Sequence, residues 1–237
     1  MTQNQFKHDF ELYARSGGIG SLNLHHYEKQ IESQRDGAKN SLTPYILEER
    51  SLNVTVMDVF SRLMMERILW VAGEVNDNMS TIVQAQLKFL ESVDHNTITM
   101  HIDSPGGSVK SGLSMVNVMK CIVPKIRTIN TGMAASMGSV LLGAGSKGLR
   151  GSLEDSETML HQSSGGAVGN IQDAEISMKQ WRRVNERLFF LLGKFCGKTG
   201  EQVMMDATRD LWLTAEEAKD YGIVDEIIYM NLSEYDK

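Results

Sequence analysis

Short β-rich runs alternate with helical segments through the middle of this chain, and this alternation restricts the possible folds more than any other feature. Residues 67–71, 97–102 and 126–130 are rich in strand-forming side chains, whereas residues 79–93 and 107–121 carry apolar side chains at helical spacing. Strands that alternate with helices of this length predict an α/β domain with a mainly parallel sheet and flanking helices. In such a domain the functional groups lie at the carboxyl ends of strands.

Composition narrows the class of protein and its partners. The chain has 237 residues, of which 41% are hydrophobic and 23% charged, enough for a full core. Its net charge of −6, without a dense Lys/Arg stripe, argues against binding to nucleic acid. No stretch approaches about 18 uncharged apolar residues, and the N-terminus lacks the apolar core of a secretory signal. We therefore expect a cytoplasmic protein without a membrane partner.

Two segments stand apart from the alternating region. Residues 1–42 are polar and weakly periodic, and Pro44 marks a change in character, so we predict a leader or propeptide followed by one domain at 43–237. Residues 171–195 carry apolar side chains at intervals of mostly three and four, which predicts one long amphipathic helix. This helix either packs on its own domain or projects to pair with another subunit.

Shorter elements are predicted in the second half of the chain. Residues 158–161 and 224–228 are predicted as strands. Thr214 and Glu217 have the spacing of a capping box, and Gly222 is a helix stop, so a short helix is expected at 215–221.

Ser136 lies between small residues at a predicted turn from strand to helix, the position at which nucleophilic hydrolases expose a hydroxyl. The pattern Ala134-x-Ser136-x-Gly138 only loosely resembles the Gly-x-Ser-x-Gly elbow. A serine hydroxyl also needs a base within hydrogen-bond reach, and the base needs a group that orients it.

Histidine is the usual base. His101 lies in an alternating strand and is expected to be a partly buried structural residue. His161 ends an apolar strand before Gln-Ser-Ser-Gly-Gly, and it fits a general base and a satisfied core histidine equally well. The remaining four are expected to face solvent: His8, His25, His26 and His95.

The other polar candidates are less distinctive. Asp206 and Asp210 flank Arg209, and by composition either could be a surface charge. The turn at 103–107, Asp-Ser-Pro-Gly-Gly, could bring free amides to an oxyanion hole or could be only a tight turn.

The two cysteines are Cys121 and Cys196. Both lie in apolar sequence without metal-like spacing, so we expect buried free thiols and no cofactor.

Taken together, several short motifs resemble the proteolytic subunit of Clp proteases, which are serine peptidases of the crotonase-like fold. The resemblance runs from about residue 42 to 230, and the order and spacing of the motifs are more specific than any one of them. The motifs lie at residues 104–107, 135–138, 159–162, 209–210 and 215–222.

The resemblance implies a complete catalytic framework for an endopeptidase. It implies Ser136 as the nucleophile, His161 as the general base and later acid, and Asp210 as the residue that orients the imidazole. It implies an oxyanion hole formed by the backbone amides of Gly107 and Met137.

The resemblance also implies an assembly. In the family, the long helix, here about 171–195, is a projecting handle through which two seven-membered rings pair into a tetradecamer. The catalytic sites face an enclosed chamber, to which an AAA+ Clp ATPase delivers unfolded proteins. The ATPase uses the ATP, so the chain itself needs no cofactor. Some members process their own N-terminus, which suits residues 1–42.

The chain departs from the family pattern where the ATPase docks. Thr99, His101 and Cys121 stand in place of an aromatic cluster, so a smaller and more polar docking pocket is expected.

Three other departures concern substrate and ring contacts. Asp103 replaces an asparagine, and Ser163 replaces a proline after His-Gln, which is expected to loosen the strand that binds substrate. Thr208 replaces an acidic residue, so ring pairing that is weaker or differently arranged is expected.

Two alternatives to an active peptidase remain at this point. A non-catalytic ring subunit that assembles with an active paralogue is one, although such a subunit need not keep all three triad residues. An acyl-CoA enzyme of the same broad fold is the other, although it would not need this serine, histidine and aspartate spacing.

Overall fold

The computed structural model describes residues 45–50, 53–165 and 170–229, so the predicted leader at 1–42 lies outside the described residues. The chain divides into two units, with the boundary between Arg62 and Leu63. The strands are β1 (Tyr45–Arg50), β2 (Asn53–Asp58), β3 (Ile68–Ala72), β4 (Ile98–Ser104), β5 (Ile126–Ala135), β6 (Arg150–Leu153), β7 (Glu157–Leu160), β8 (Leu211–Leu213) and β9 (Glu226–Ile228). The helices are α1 (Val59–Met65), α2 (Asp77–Val93), α3 (Val109–Cys121), α4 (Met137–Gly143), α5 (Ile171–Cys196), α6 (Gly200–Asp206) and α7 (Ala215–Tyr221).

The first unit contains a hairpin. Strands β1 and β2 pair antiparallel, with Tyr45 opposite Asp58. Asp58 then accepts hydrogen bonds from the backbone N–H groups of Phe60 and Ser61, at 3.0 and 3.1 Å, and so satisfies the free amides at the start of α1.

The second unit is built on a mainly parallel sheet with the order β3-β4-β5-β6-β9. Strand β5 pairs with β6 over Thr128 to Asn130 and with β7 over Met133 to Ala135. Strand β8 then pairs antiparallel with β7. The predicted α/β class with a mainly parallel sheet and flanking helices is confirmed.

Strand β4 buries one face in the core. Ile98, Met100 and Ile102 alternate along the strand and are each 0% exposed. Helix α2 buries Val83, Leu87 and Leu90 in the same core. Helices α2 and α3 begin at side-chain caps, provided by Asn76 and Ser108.

The long predicted helix is present as α5, from Ile171 to Cys196, and it ends at Gly197 in the left-handed conformation. Its last turns pack on the core through Leu188, Phe189 and Leu192. Its first turns leave Ile171 and Ile176 exposed. Packing on its own domain therefore accounts for the second half of the helix, whereas its first turns carry exposed apolar side chains among the described residues.

Several predicted boundaries are wrong. Strand β5 continues to Ala135 because its last residues pair with β7, and the last strand begins at Glu226 rather than at 224. Elements β6, α6 and β8 were not anticipated from the sequence, since each has only three to seven residues.

The expected burial of both cysteines is also wrong. Both thiols are free, but Cys121 is exposed at the end of α3, and Cys196 is only partly buried. Burial raises the pKa of Cys196 to about 11, so its thiol is neutral at physiological pH.

None of the helices in the described ranges has both the length and the apolar character needed to cross a bilayer.

Candidate active site

Ser136 lies between the end of β5 and the first residue of α4, in a backbone conformation with φ +53° that is rare for a residue with a Cβ. Its N–H donates to the carbonyl of Met159 in β7 at 2.9 Å, and its own carbonyl accepts the Ser139 hydroxyl at 2.6 Å. These two bonds fix a turn that costs on the order of 1 kcal/mol in strain. The serine side chain therefore has a defined position at the carboxyl end of a strand.

His161 follows directly after β7, the strand that pairs with the end of β5. This pairing places the imidazole next to the serine, and His161 Nε2 lies 2.8 Å from Ser136 Oγ. His161 is partly buried, with 25% of its side chain exposed. The serine and histidine are therefore within hydrogen-bond distance, as nucleophilic catalysis requires.

Asp210 lies near the second ring nitrogen of His161. It precedes β8, whose Leu211 pairs with Leu160 immediately before His161. Its Oδ1 lies 3.6 Å from His161 Nδ1, within ion-pair range but too long for a hydrogen bond. The Asp210 side chain is 63% exposed. The structure thus brings Ser136, His161 and Asp210 together, with a loose contact between the last two.

The glycine turn after β4 packs against the serine turn. Gly106 and Gly107 both have positive φ, at +93° and +144°. A Cβ on Gly106 would lie 2.6 Å from the Cβ of Ser136, so only glycine fits there. The structure identifies Gly106 as a site residue because it packs against Ser136. Its position in a glycine turn did not reveal this contact from the sequence.

Two backbone amides at this point have no hydrogen-bond acceptor among the described residues. Among the hydrogen bonds of the described residues, the N–H groups of Gly107 and Met137 have no protein acceptor. The turn is fixed around them because Val75 N–H donates to the carbonyl of Gly106 at 2.8 Å and Ser108 N–H donates to the carbonyl of Val75 at 2.7 Å. Both amides are thus able to donate to a ligand.

A small pocket with a cavity volume of about 20 Å³ lies beside Ser136 and His161. One wall comes from helix α5, and most of the lining is apolar, with polar atoms at the rim. We call it the α5 pocket, and it is lined by Val109, Met137, Ser139, Val140, Leu160, Ser163, Asn185, Leu188, Phe189 and Leu192 together with the serine and the histidine.

The remaining histidine candidates do not join this site. His101 is half-buried on β4 and stacks on Trp70, with ring centroids 4.8 Å apart, as expected of a structural histidine. Burial, and then the nearby Arg127 cation, lowers the pKa of His101. His95 is exposed, as predicted, and the three histidines of the predicted leader lie outside the described residues.

Asp206, the other carboxylate considered, has a separate role. It accepts hydrogen bonds from the Tyr221 hydroxyl at 2.9 Å and from Gln202 Nε2 at 2.8 Å. Burial of Tyr221 and its bond to Asp206 raise the pKa of that phenol. Asp206 therefore connects α6 to α7.

Within the described residues, no group of three or more His, Cys, Asp or Glu side chains could hold a metal ion.

A mainly parallel α/β sheet with a serine and a histidine in contact at adjoining strand ends defines the class of a serine hydrolase. Comparison with known proteins narrows this class. A family model described as Clp protease matches residues 50–231. The chain belongs to the Clp protease family, and it is a serine endopeptidase.

Individual relatives agree with the family model, and all three are called "ATP-dependent Clp protease proteolytic subunit". The chain is 47% identical to one from Bacteroides fragilis strain YCH46 over 222 residues, covering 93% of this chain and 98% of the relative. One from Bacteroides thetaiotaomicron is 46% identical over the same coverage. One from Porphyromonas gingivalis is 43% identical over 94% of this chain and 98% of the relative. These relatives give no support to a non-catalytic subunit or to an acyl-CoA enzyme.

Proposed function

We propose that Ser136 attacks the peptide carbonyl while His161 removes its proton. The observation that carries this proposal is the 2.8 Å contact between Ser136 Oγ and His161 Nε2. The bond from Ser136 Oγ to the carbonyl carbon forms a tetrahedral intermediate, and the protonated imidazole then gives its proton to the leaving amine. Water, activated by the same histidine, releases the acyl group and restores the serine.

Asp210 is the group that orients the imidazole in this proposal. His161 gains a positive charge when it takes the serine proton, and the carboxylate 3.6 Å away favours that charge. Catalytic contacts of this kind are often long in unliganded enzymes and tighten when substrate binds.

The amides of Gly107 and Met137 form the proposed oxyanion hole. Their lack of a protein acceptor in the described part of the chain supports this assignment, because an oxyanion hole needs donors that are not already engaged. Losing one such donor typically costs about 3 kcal/mol in barrier height.

The α5 pocket is the proposed site for the substrate side chain on the acyl side of the scissile bond. It begins at Ser136, and its deeper wall is formed by Leu188, Phe189 and Leu192. Burial of an apolar side chain there would stabilise the complex by about 25 cal/mol per Å² removed from water. The mostly apolar lining favours apolar over charged residues at this position.

At the level of the assembly, we propose that two seven-membered rings pair through α5 and enclose the sites, and that an AAA+ Clp ATPase feeds unfolded proteins to them. The relatives' name, ATP-dependent, and the exposed Ile171 and Ile176 on α5 support this proposal. The ATPase consumes the ATP, so the chain needs no cofactor. Because the ATPase requires a compartment that contains ATP, the proposed location is the cytoplasm. We also propose that residues 1–42 are removed as a leader.

We also propose that the ATPase docks at a surface around Thr99, His101 and Cys121. This surface is expected to be smaller and more polar than that of other family members. Trp70, stacked on His101, adds an aromatic ring to this surface that the sequence alone did not indicate.

Hydrolysis of a short unstructured peptide tests the proposed chemistry, because such a peptide needs no ATPase. The wild-type assembly should release product, and Ser136→Ala and His161→Ala should be slower by at least about 10³-fold, as for loss of a triad residue. Equal rates for wild type and Ser136→Ala would exclude Ser136 as the nucleophile.

A further inference from the structure

Three hydrogen bonds connect the segment after His161 to helix α5. The backbone N–H of Ser163 donates to Asn185 Oδ1 at 3.1 Å, and the Ser163 hydroxyl lies 2.9 Å from the same oxygen. The indole Nε1 of Trp181 lies 2.9 Å from Ser163 Oγ. We call Ser163, Asn185 and Trp181 the Ser163 cluster.

The donors and acceptors in this cluster fit in only one way. A peptide N–H and an indole N–H can only donate, so Asn185 presents its oxygen to Ser163, and Ser163 Oγ accepts from Trp181. The hydroxyl proton of Ser163 is then directed at Asn185 Oδ1. Each of the three donors has one acceptor, and the orientation of the Asn185 amide is therefore fixed.

The cluster lies at the rim of the α5 pocket. Ser163 and Asn185 both line that pocket beside Ser136, and Ser163 is two residues after His161. The Trp181 ring also packs along the same segment, since a Cβ on Gly165 would lie 3.3 Å from Trp181 Cε2. The segment is thus bonded and packed against α5 over residues 163–165.

These contacts overturn the expectation that serine in place of proline loosens the segment. A proline at 163 would have neither the N–H nor the hydroxyl that bond to Asn185. Ser163 therefore bonds this segment to α5. A proline would restrict the backbone of the segment but could not form these bonds to α5.

We infer that the Ser163 cluster determines which substrate side chain the α5 pocket selects, by holding the pocket rim in one position. Ser163 and Trp181 are positioning residues that act through Asn185, which forms part of the pocket wall. This inference rests on the proposed function, because the pocket receives a substrate side chain only if Ser136 is the nucleophile.

The test compares two short peptides that differ only in the residue on the acyl side of the scissile bond, leucine or alanine. Ser163→Ala removes both bonds of the Ser163 hydroxyl and keeps the backbone bond to Asn185. The ratio of kcat/KM for leucine over alanine should fall at least about fivefold, the effect of one lost hydrogen bond, mainly through a higher KM for the leucine peptide. Ser163→Thr keeps the hydroxyl and should restore the ratio. The rate of labelling by a small fluorophosphonate is measured in the same variants, because it reports on the Ser136 nucleophile separately from the selection of a substrate side chain.

Two further variants separate positioning from folding. Trp181→Phe keeps the ring but removes the indole donor, and it should lower the same ratio without loss of the assembly. Ser114→Ala removes a comparable part-buried bond, 3.1 Å long, to Gln84 between α3 and α2, and it should leave the ratio unchanged.

The inference is overturned if Ser163→Ala and Trp181→Phe keep the wild-type ratio, or if both peptides lose activity equally. If wild-type protein cleaves neither peptide, the proposed function is rejected, and the inference that rests on it is rejected as well. Cleavage that depends on Ser136, together with an unchanged ratio in both variants, would reject the cluster's role and leave the proposed function intact.

Discussion

Gly106 is the residue on which the position of Ser136 depends most closely. Its backbone has φ +93°, and a Cβ there would collide with the Cβ of Ser136, the carbonyl of Ala135 and the amide of Met137. All three belong to the serine turn. Gly106→Ala should therefore displace the nucleophile and one proposed oxyanion donor, and peptide hydrolysis should fall by at least about 10²-fold.

Gly148→Ala is the matched control for this prediction. Gly148 has φ +84°, close to that of Gly106, but a Cβ on Gly148 would meet no atom within 4 Å. Both variants carry similar backbone strain of about 1 kcal/mol, but only Gly106→Ala also has the collision. Equal activity losses in the two variants would show that strain alone accounts for the effect.

At the scale of residues, the sequence predicted the types and the order of the site residues better than their contacts. Ser136, His161 and the Asp-Ser-Pro-Gly-Gly turn were recognisable because each lies at a predicted strand end. The bonds of Ser163 were not, because Asn185 is 22 residues away, on a helix whose rotation relative to the sheet is determined by packing. Side-chain pairs of this kind require the tertiary structure.

At the scale of elements, one buried ion pair connects the ends of four elements. Arg150 of β6 is 1% exposed and bonds to the carboxylate of Asp225 before β9, with Nη2 to Oδ1 at 2.6 Å. The same guanidinium donates to the carbonyl of Phe195 near the end of α5 and to that of Gly222 after α7. Burial tends to raise the pKa of Asp225, but the hydrogen bonds and charge of Arg150 outweigh it and hold that pKa well below its usual range.

Asp225→Asn should therefore lower the free energy of unfolding by about 3 kcal/mol at pH 7, because it leaves the Arg150 charge buried without its partner. The carboxylate has a lower pKa in the folded than in the unfolded chain, so its contribution is present above the unfolded pKa of about 4 and is lost as pH falls further. Urea unfolding between pH 7 and pH 3 should show the difference between wild type and variant becoming smaller below about pH 4. A difference that stays constant over this range would contradict the assignment.

Glu226→Gln provides the comparison for Asp225→Asn. Glu226 is the next residue and pairs with Arg127 at 2.7 Å, but 47% and 38% of the two side chains are exposed. An exposed pair contributes at most about 1 kcal/mol, so this variant should unfold close to wild type at every pH.

Elements specified by local signals were predicted well, and elements specified by a distant partner were not. Helix α7 spans 215–221 as expected, with both bonds of the Thr214 and Glu217 capping box and a left-handed Gly222. Strand β8 has three residues and exists because β7 pairs with it. Likewise, the last part of β5, including Met133 to Ala135, is extended because it pairs with β7.

At the scale of the whole molecule, the first turns of α5 leave apolar side chains exposed in the part of the chain that the structure describes. Ile176 is 68% exposed there. If α5 joins two rings as proposed, Ile176→Arg places a charge in an apolar contact and should halve the mass of the assembly, as measured by native mass spectrometry. Ile176→Val keeps the apolar contact and should retain the wild-type mass. An undiminished assembly in Ile176→Arg would argue against pairing through α5.

The fold class and the family were both accessible from the sequence, because the alternation of strands and helices and the order of the motifs are properties of one chain. The number of subunits and the ATPase were not, because in the proposed assembly those surfaces are completed by other chains. Intact mass of the purified protein addresses the proposed leader: loss of residues 1–42 is expected, and a full-length chain in the active assembly would contradict it.

The most direct test of the proposed chemistry is the site of covalent labelling by a fluorophosphonate. Wild-type assembled protein, Ser136→Ala and His161→Ala are treated in parallel, and the modified residue is identified by peptide mass spectrometry. We predict one adduct per chain, on Ser136, in wild type, no adduct in Ser136→Ala, and labelling slower by at least about 10³-fold in His161→Ala. An adduct on another residue, or a wild-type protein that stays unlabelled, would contradict the central claim that Ser136, activated by His161, is the nucleophile.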